Sequence, residues 1–122
     1  MGISVLLVEH PPVVRQTLKA RLSLEDDLRI VGEASDAAEA TELAMSLAPD
    51  VVLLDAEMPH LDLHVTVSEL AERAPACAIV LLTIEPSRAR RELPSVTVVG
   101  KHEGTGALLA AIRSAGTGRG PD

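Results

Sequence analysis

The sequence predicts a doubly wound α/β domain whose five parallel strands lie in the order 2-1-3-4-5. Three observations carry that prediction. Short runs of branched apolar residues alternate five times with segments of helical period, the pattern of a parallel sheet covered on both faces. A length of 122 residues fits one such domain, since compact domains most often hold about 100–150 residues. The apolar 47% contains no Phe, Tyr or Trp, which leaves a core of Val, Leu, Ile and Ala suited to closely packed strands and helices. Right-handed crossovers between parallel strands then leave few topologies for five strands, and 2-1-3-4-5 is the favoured one.

The elements follow in order. Residues 3–8 form the first strand, and Pro12 to Leu24 a helix with Val14, Leu18, Arg21 and Leu22 at helical spacing, the apolar members facing the core. Leu28 to Ala34 alternates as a second strand. Ser35 or Asp36 can cap the next helix, whose inward stripe is Ala37, Ala40, Leu43, Ala44 and Leu47, and Pro49 stops it. Val51 to Leu54 is a central strand apolar on both faces, ending on Asp55. Leu61 to Arg73 reads as the third helix, Ala76 to Leu82 as the fourth strand, and Pro86 to Leu93 as a short helix. Val96 to Val99 is the fifth strand, and Ala107 to Ala115 the closing helix. On that last helix Leu108, Ala111, Ile112 and Ala115 line one face. Leu109 falls about 100° from Leu108 and should leave a second apolar surface for self-association. The domain is expected over residues 1–115, with 116–122 a flexible tail or the start of a linker.

Composition also excludes functions. Without aromatic rings there is no stacking platform for bases. A net charge of −7 repels polyanions, so direct nucleic-acid binding by this domain is not expected. Cys77 has no second cysteine to pair with and reads as a buried strand residue. The apolar runs are far shorter than the roughly 20 residues that span a bilayer, and no signal peptide is visible, so a cytoplasmic protein is expected. His10, His60, His64 and His102 read as solvated residues, although His60 and His64 have helical i,i+4 spacing.

In open parallel sheets the reactive crevice lies beyond the carboxyl ends of the strands. Standing there are Glu9 and His10 after the first strand, Asp55 after the third, Thr83 after the fourth and Lys101 after the fifth. A strand-terminal Asp is commonly a turn residue and a lone Lys commonly solvated. Together, however, an exposed carboxylate, a hydroxyl, an ammonium and a further acid are the set that transient aspartyl phosphorylation requires: a nucleophile, and groups that neutralise an acyl phosphate.

The segments Val5-Leu6-Leu7-Val8-Glu9-His10, Pro49-Asp50-Val51-Val52-Leu53-Leu54-Asp55-Ala56-Glu57-Met58-Pro59, Ile79-Val80-Leu81-Leu82-Thr83 and Val99-Gly100-Lys101 resemble the ordered signatures of two-component response regulator receiver domains, over about residues 3–115. Leu28-Arg29-Ile30-Val31-Gly32-Glu33-Ala34 looks like the NarL/LuxR-type subfamily, whose members join the receiver to a C-terminal helix-turn-helix domain. The resemblance implies a flavodoxin-like (βα)5 receiver fold. It also implies Asp55 as phosphoacceptor, Thr83 as the hydroxyl that follows the phosphoryl group, Lys101 as its ammonium partner, and a magnesium ion held by Glu9, the next position, Asp55 and the Glu57 backbone carbonyl.

Departures from the family pattern modify that expectation. The family usually carries two adjacent acids after the first strand, where this chain has Glu9 and His10. Imidazole suits zinc, nickel or copper better than magnesium, so magnesium binding should be weak. Thr83 and Lys101 stand 18 positions apart, about one helical turn fewer than the family pattern, which implies an abbreviated fourth helix. Val98 occupies the place of the usual switching aromatic, and His60-Leu61-Asp62-Leu63 a loop the family normally builds with glycines.

The leading expectation is a regulatory receiver, the N-terminal part of a transcriptional regulator, not an enzyme beyond its own phosphorylation. A sensor histidine kinase, a C-terminal DNA-binding domain and a second copy of the chain are the implied partners. The alternative is a pseudo-receiver that never accepts phosphate and switches by ligand or protein binding. A small hydrolase or flavoprotein on the same fold is disfavoured by the lack of a Gly-x-Ser-x-Gly elbow, a glycine-rich phosphate loop or a stacking aromatic.

Overall fold

The computed structural model describes residues 2–117. Five strands and five helices alternate strictly: β1 (Ile3–Val8), α1 (Pro12–Leu22), β2 (Leu28–Ala34), α2 (Ala37–Leu47), β3 (Val51–Asp55), α3 (Leu63–Arg73), β4 (Ala78–Thr83), α4 (Pro86–Glu92), β5 (Thr97–Gly100) and α5 (Gly104–Thr117). All strand pairings are parallel, in the order β2-β1-β3-β4-β5, as the alternation predicts. Among the described residues no helix is long and apolar enough to cross a membrane.

The sheet divides the core into two layers because successive side chains of a strand point to opposite faces. Leu6, Val8, Val52, Leu54 and Leu81 pack with Ala40 and Ala44 of α2 and with Val67 and Leu70 of α3. Val5, Leu7, Val51, Leu53 and Val80 pack with Leu22 of α1 and with Leu108, Leu109 and Ile112 of α5. Strand β3, central and buried along its whole length, carries Asp55 to its carboxyl end as the last residue of a run that has no freedom to shift.

Strand β2 breaks its own alternation. Ile30 packs on the α1/α5 side while Ala34, four residues on, packs on the other. Residues an even number apart should share a face, and a register shift between Val5 and Leu6 accounts for the change: Val5 pairs with Ile30 but Leu6 with Gly32. The shift brings Glu33 opposite Leu7, where it meets Arg15 at 3.2 Å and Lys19 at 2.7 Å on α1. A Cβ at Gly32 would lie 2.7 Å from Cδ1 of Leu47, so the glycine lets that side chain lie close over the strand.

The structure corrects several local expectations. On α1, Val14 is exposed and Leu22 alone is fully buried; that helix closes at Leu22, not Leu24. Leu47, expected in the inward stripe of α2, is also exposed; Ala48 ends the helix just after it in the left-handed region at φ 46°. Asp36, not Ser35, is the cap, accepting from the Glu39 N–H. Helix α3 starts at Leu63 because Asp62 caps it by accepting from the Val65 N–H. Cys77 precedes β4 and is half-buried. Leu109 does not open a second apolar surface. It is buried between Leu108 and Ile112, while Ala110 is exposed, because a helix seated across a sheet presents an arc wide enough to take both leucines. Helix α5 continues through Gly116 and Thr117; the rest of the expected tail, 118–122, lies outside the described residues.

Candidate functional site

The carboxyl ends of β1, β3, β4 and β5 bring together Glu9, Asp55, Thr83 and Lys101. Asp55, Glu9 and Thr83 are all buried. The Lys101 Nζ reaches Asp55 Oδ1 at 2.7 Å, the contact that strand-end placement leads one to expect. Lys101 is positioned by the sheet itself, since its N–H donates to the Thr83 carbonyl at 2.8 Å. On the other side of the pocket Arg15 fixes the loop after β1 by donating to the carbonyls of Glu9 (3.0 Å) and His10 (3.3 Å).

Two carboxyls, those of Glu9 and Asp55, share this pocket. Burial pushes Glu9 up to about 8, and its hydrogen bond to Asp55 together with the Asp55 charge adds to that, with Lys101 opposing. For Asp55 burial acts in the same direction, but the proton on Glu9, the Lys101 ammonium and the Glu57 N–H outweigh it and hold the carboxyl below its ordinary value. Crowded carboxyls titrate as a pair. Burial thus favours the protonated form of Glu9, while Lys101 and the Glu57 N–H favour the charged form of Asp55. Lys101 is itself held firmly charged, its burial outweighed by bonds to Asp55 and Glu57.

Glu57 is the site residue that sequence reasoning missed in part. Its backbone carbonyl was expected to matter; its side chain makes the contacts. The carboxylate accepts from the Thr83 hydroxyl at 2.7 Å and the Ile84 N–H at 3.1 Å and pairs with Lys101 at 3.0 Å, while its own N–H donates to Asp55 Oδ1 at 3.1 Å. An acid two residues beyond a strand end is ordinarily solvated, so spacing alone gave no signal.

The expected ligand position His10 is exposed and lines a recess with Asp36, Met58 and His60. His60 takes φ 61°, the left-handed conformation that costs a residue with a Cβ about 1–2 kcal/mol, so the loop reaches its turn without a glycine. Among the described residues no three His, Cys, Asp or Glu side chains are gathered as a metal cluster. The donor set still suits a hard cation: the carboxyls of Glu9 and Asp55 offer oxygen, the type magnesium prefers.

A parallel sheet in this order, with a buried acid and hydroxyl and a lysine at the ends of adjacent strands, is the arrangement of a receiver domain. Residues 5–113 match the response regulator receiver domain family, and the chain belongs to it. The family is that of the receivers of two-component signal transduction. The chain is 39% identical over 83 residues to protein-glutamate methylesterase/protein-glutamine glutaminase 2 of Methanospirillum hungatei, covering 68% of this chain and 24% of that one. It is 36% identical over 81 residues to the nitrate/nitrite response regulator protein NarL of Escherichia coli, covering 66% and 38%. The signal receiver domain of the NarL response regulator from Mycobacterium tuberculosis superposes with a TM-score of 0.83 at 26% identity, covering 96% of this chain and 98% of that one. The chain thus spans about a quarter to two-fifths of those curated relatives, and in the methylesterases the matched part is the regulatory receiver and not the catalytic domain.

Proposed function

We propose that this receiver accepts a phosphoryl group on Asp55 and passes the change to a transcriptional output. The observation that carries the reading is the contact of 2.7 Å between Lys101 and the buried Asp55, beside Glu9, whose carboxyl burial pushes up to about 8. Asp55 is thereby kept ionised as a nucleophile. Its carboxylate oxygen attacks the phosphorus of a phosphodonor, the donor's bond to phosphorus breaks with its electron pair, and Lys101 neutralises the acyl phosphate. Thr83 offers a hydroxyl to the new phosphoryl oxygens. Glu9, Asp55 and the Glu57 carbonyl would hold magnesium, weakly because His10 adds no oxygen; when bound, the ion supplies positive charge to the phosphoryl oxygens. A sensor histidine kinase in the cytoplasm is the donor this reading implies, a C-terminal DNA-binding domain the output, and a homodimer the assembly. With Val98 in place of a ring, the signal leaves the pocket without an aromatic switch.

Incubation with acetyl phosphate and magnesium should add one phosphoryl group, seen by intact-protein mass spectrometry, and Asp55→Asn should abolish it. Labelling that survives the substitution would place the acceptor elsewhere. Separately, His10→Asp should tighten magnesium binding about tenfold in titration calorimetry by restoring an oxygen donor; equal affinities would remove His10 from the site. A phosphorylation-independent pseudo-receiver is the second reading, favoured by the Glu57 carboxylate already engaging Thr83 and Lys101.

A further inference from the structure

An acyl phosphate on Asp55 must find hydrogen-bond donors for its oxygens. The pocket offers three that converge from two strands: the Thr83 hydroxyl at the end of β4, the Ile84 N–H next to it, and the Lys101 ammonium after β5. In this structure all three are engaged by one carboxylate, that of Glu57, at 2.7, 3.1 and 3.0 Å. The Thr83 oxygen is committed further, since it also accepts from the Glu85 N–H at 3.0 Å. Glu57 can hold this position because its own N–H is tied to Asp55 Oδ1 at 3.1 Å, which fixes the backbone at the root of the side chain.

We propose that the Glu57 carboxylate is a built-in stand-in for the phosphoryl group: it occupies the donors that a phosphorylated Asp55 would use, so phosphorylation has to displace it. The inference rests on Asp55 being the phosphoacceptor. Its chemistry is that of competition between anions. A carboxylate presents two oxygens and one negative charge to a hydroxyl, an amide and an ammonium, as a phosphoryl group does with three oxygens and more charge. The stand-in has two effects. It raises the barrier to labelling, because the incoming phosphoryl group meets an anion and donors already bonded. It also draws the Thr83 hydroxyl to the pocket before any phosphoryl group arrives, so the arrangement that phosphorylation would impose on Thr83 is present beforehand.

The test is the initial rate of phosphoryl incorporation from acetyl phosphate at fixed magnesium, followed by intact mass for the wild type, Glu57→Gln, Glu57→Ala and Glu103→Gln. In each turnover the Asp55 oxygen forms a bond to phosphorus and the bond to acetate breaks, acetate leaving with the electron pair. Glu57→Ala should label about tenfold faster, the factor that follows from freeing donors held by one charged hydrogen-bonded contact. Glu57→Gln, which keeps an acceptor oxygen without charge, should fall between Glu57→Ala and the wild type. Glu103→Gln removes an equal charge from the loop after Lys101 without touching the three donors, and should label as the wild type does. Equal rates in wild type and Glu57→Ala, or an equal gain in Glu103→Gln, would overturn the stand-in while leaving Asp55 as the acceptor. Failure of every protein to label, each with an intact circular dichroism spectrum, would overturn the phosphoacceptor reading and the stand-in with it.

Discussion

Leu109→Glu is expected to destabilise the domain severely. The side chain is 7% exposed in the layer between α5 and the sheet, packed in the cluster that holds Leu22, Leu53, Leu108 and Ile112. A glutamate there loses the leucine's apolar contacts and either buries a charge with no cation in that cluster or takes up a proton to avoid it, a combined cost of about 4 kcal/mol or more. Small domains have about 5–15 kcal/mol of stability in all. Urea unfolding followed by circular dichroism measures the loss directly. Ala110→Glu, one residue on and exposed, should change stability by less than about 0.5 kcal/mol. Comparable losses for the two substitutions would mean that Leu109 does not face the sheet. For the same reason, self-association of this chain has to be sought on a surface other than the one Leu109 was expected to form.

The second large effect is a pH dependence that belongs to one proton. Glu9 is pushed up to about 8 from an ordinary 4.5, so across that window the folded domain holds a proton that the unfolded chain has released. Stability must therefore fall as pH rises through it, at about 1 kcal/mol per pH unit near the middle. Asp55, held below its ordinary value, titrates outside that window and contributes in the opposite sense, with stability lost as pH falls through its folded value. Glu9→Gln keeps a donor for Asp55 and cannot lose its proton, so the variant should have a flatter profile and become the more stable protein at about pH 8. Everything else that titrates in the window is common to both proteins, so the difference between their slopes in urea unfolding isolates Glu9. Parallel slopes would mean that Glu9 is ionised in the folded state.

How far the sequence carries the reader depends on which kind of information each residue holds. The strand order was legible because β1, β3 and β4 are apolar on both faces and because crossovers have one hand. The placement of Asp55, Thr83 and Lys101 followed from topology alone, since each ends a strand or stands one residue beyond it. What was not legible depends on side-chain direction. Leu109 could be assigned to either of two helix faces until its burial against the sheet was known. Glu57 carries no periodic signal, and only the closeness of the β3 and β4 ends turns its carboxylate toward Thr83. Cys77 was placed in a strand by its neighbours' composition, whereas β4 begins one residue later, where Ala78 donates its N–H to the Asp50 carbonyl.

The register shift in β2 has a meaning for how the family can vary in length. Val31 is the residue skipped in the pairing between Ile30 and Gly32, so it is surplus to the ladder. A shorter relative lacking it would run through this edge with unbroken alternation. Leu28 and Ile30 would still face α1 and α5, Glu33 would still reach Arg15 and Lys19, and Ala34 would still face α2. A one-residue deletion at Arg29 would instead carry Ile30 through the sheet to the other side. Val31 therefore marks a place on this edge where a deletion leaves both layers of the domain as they are.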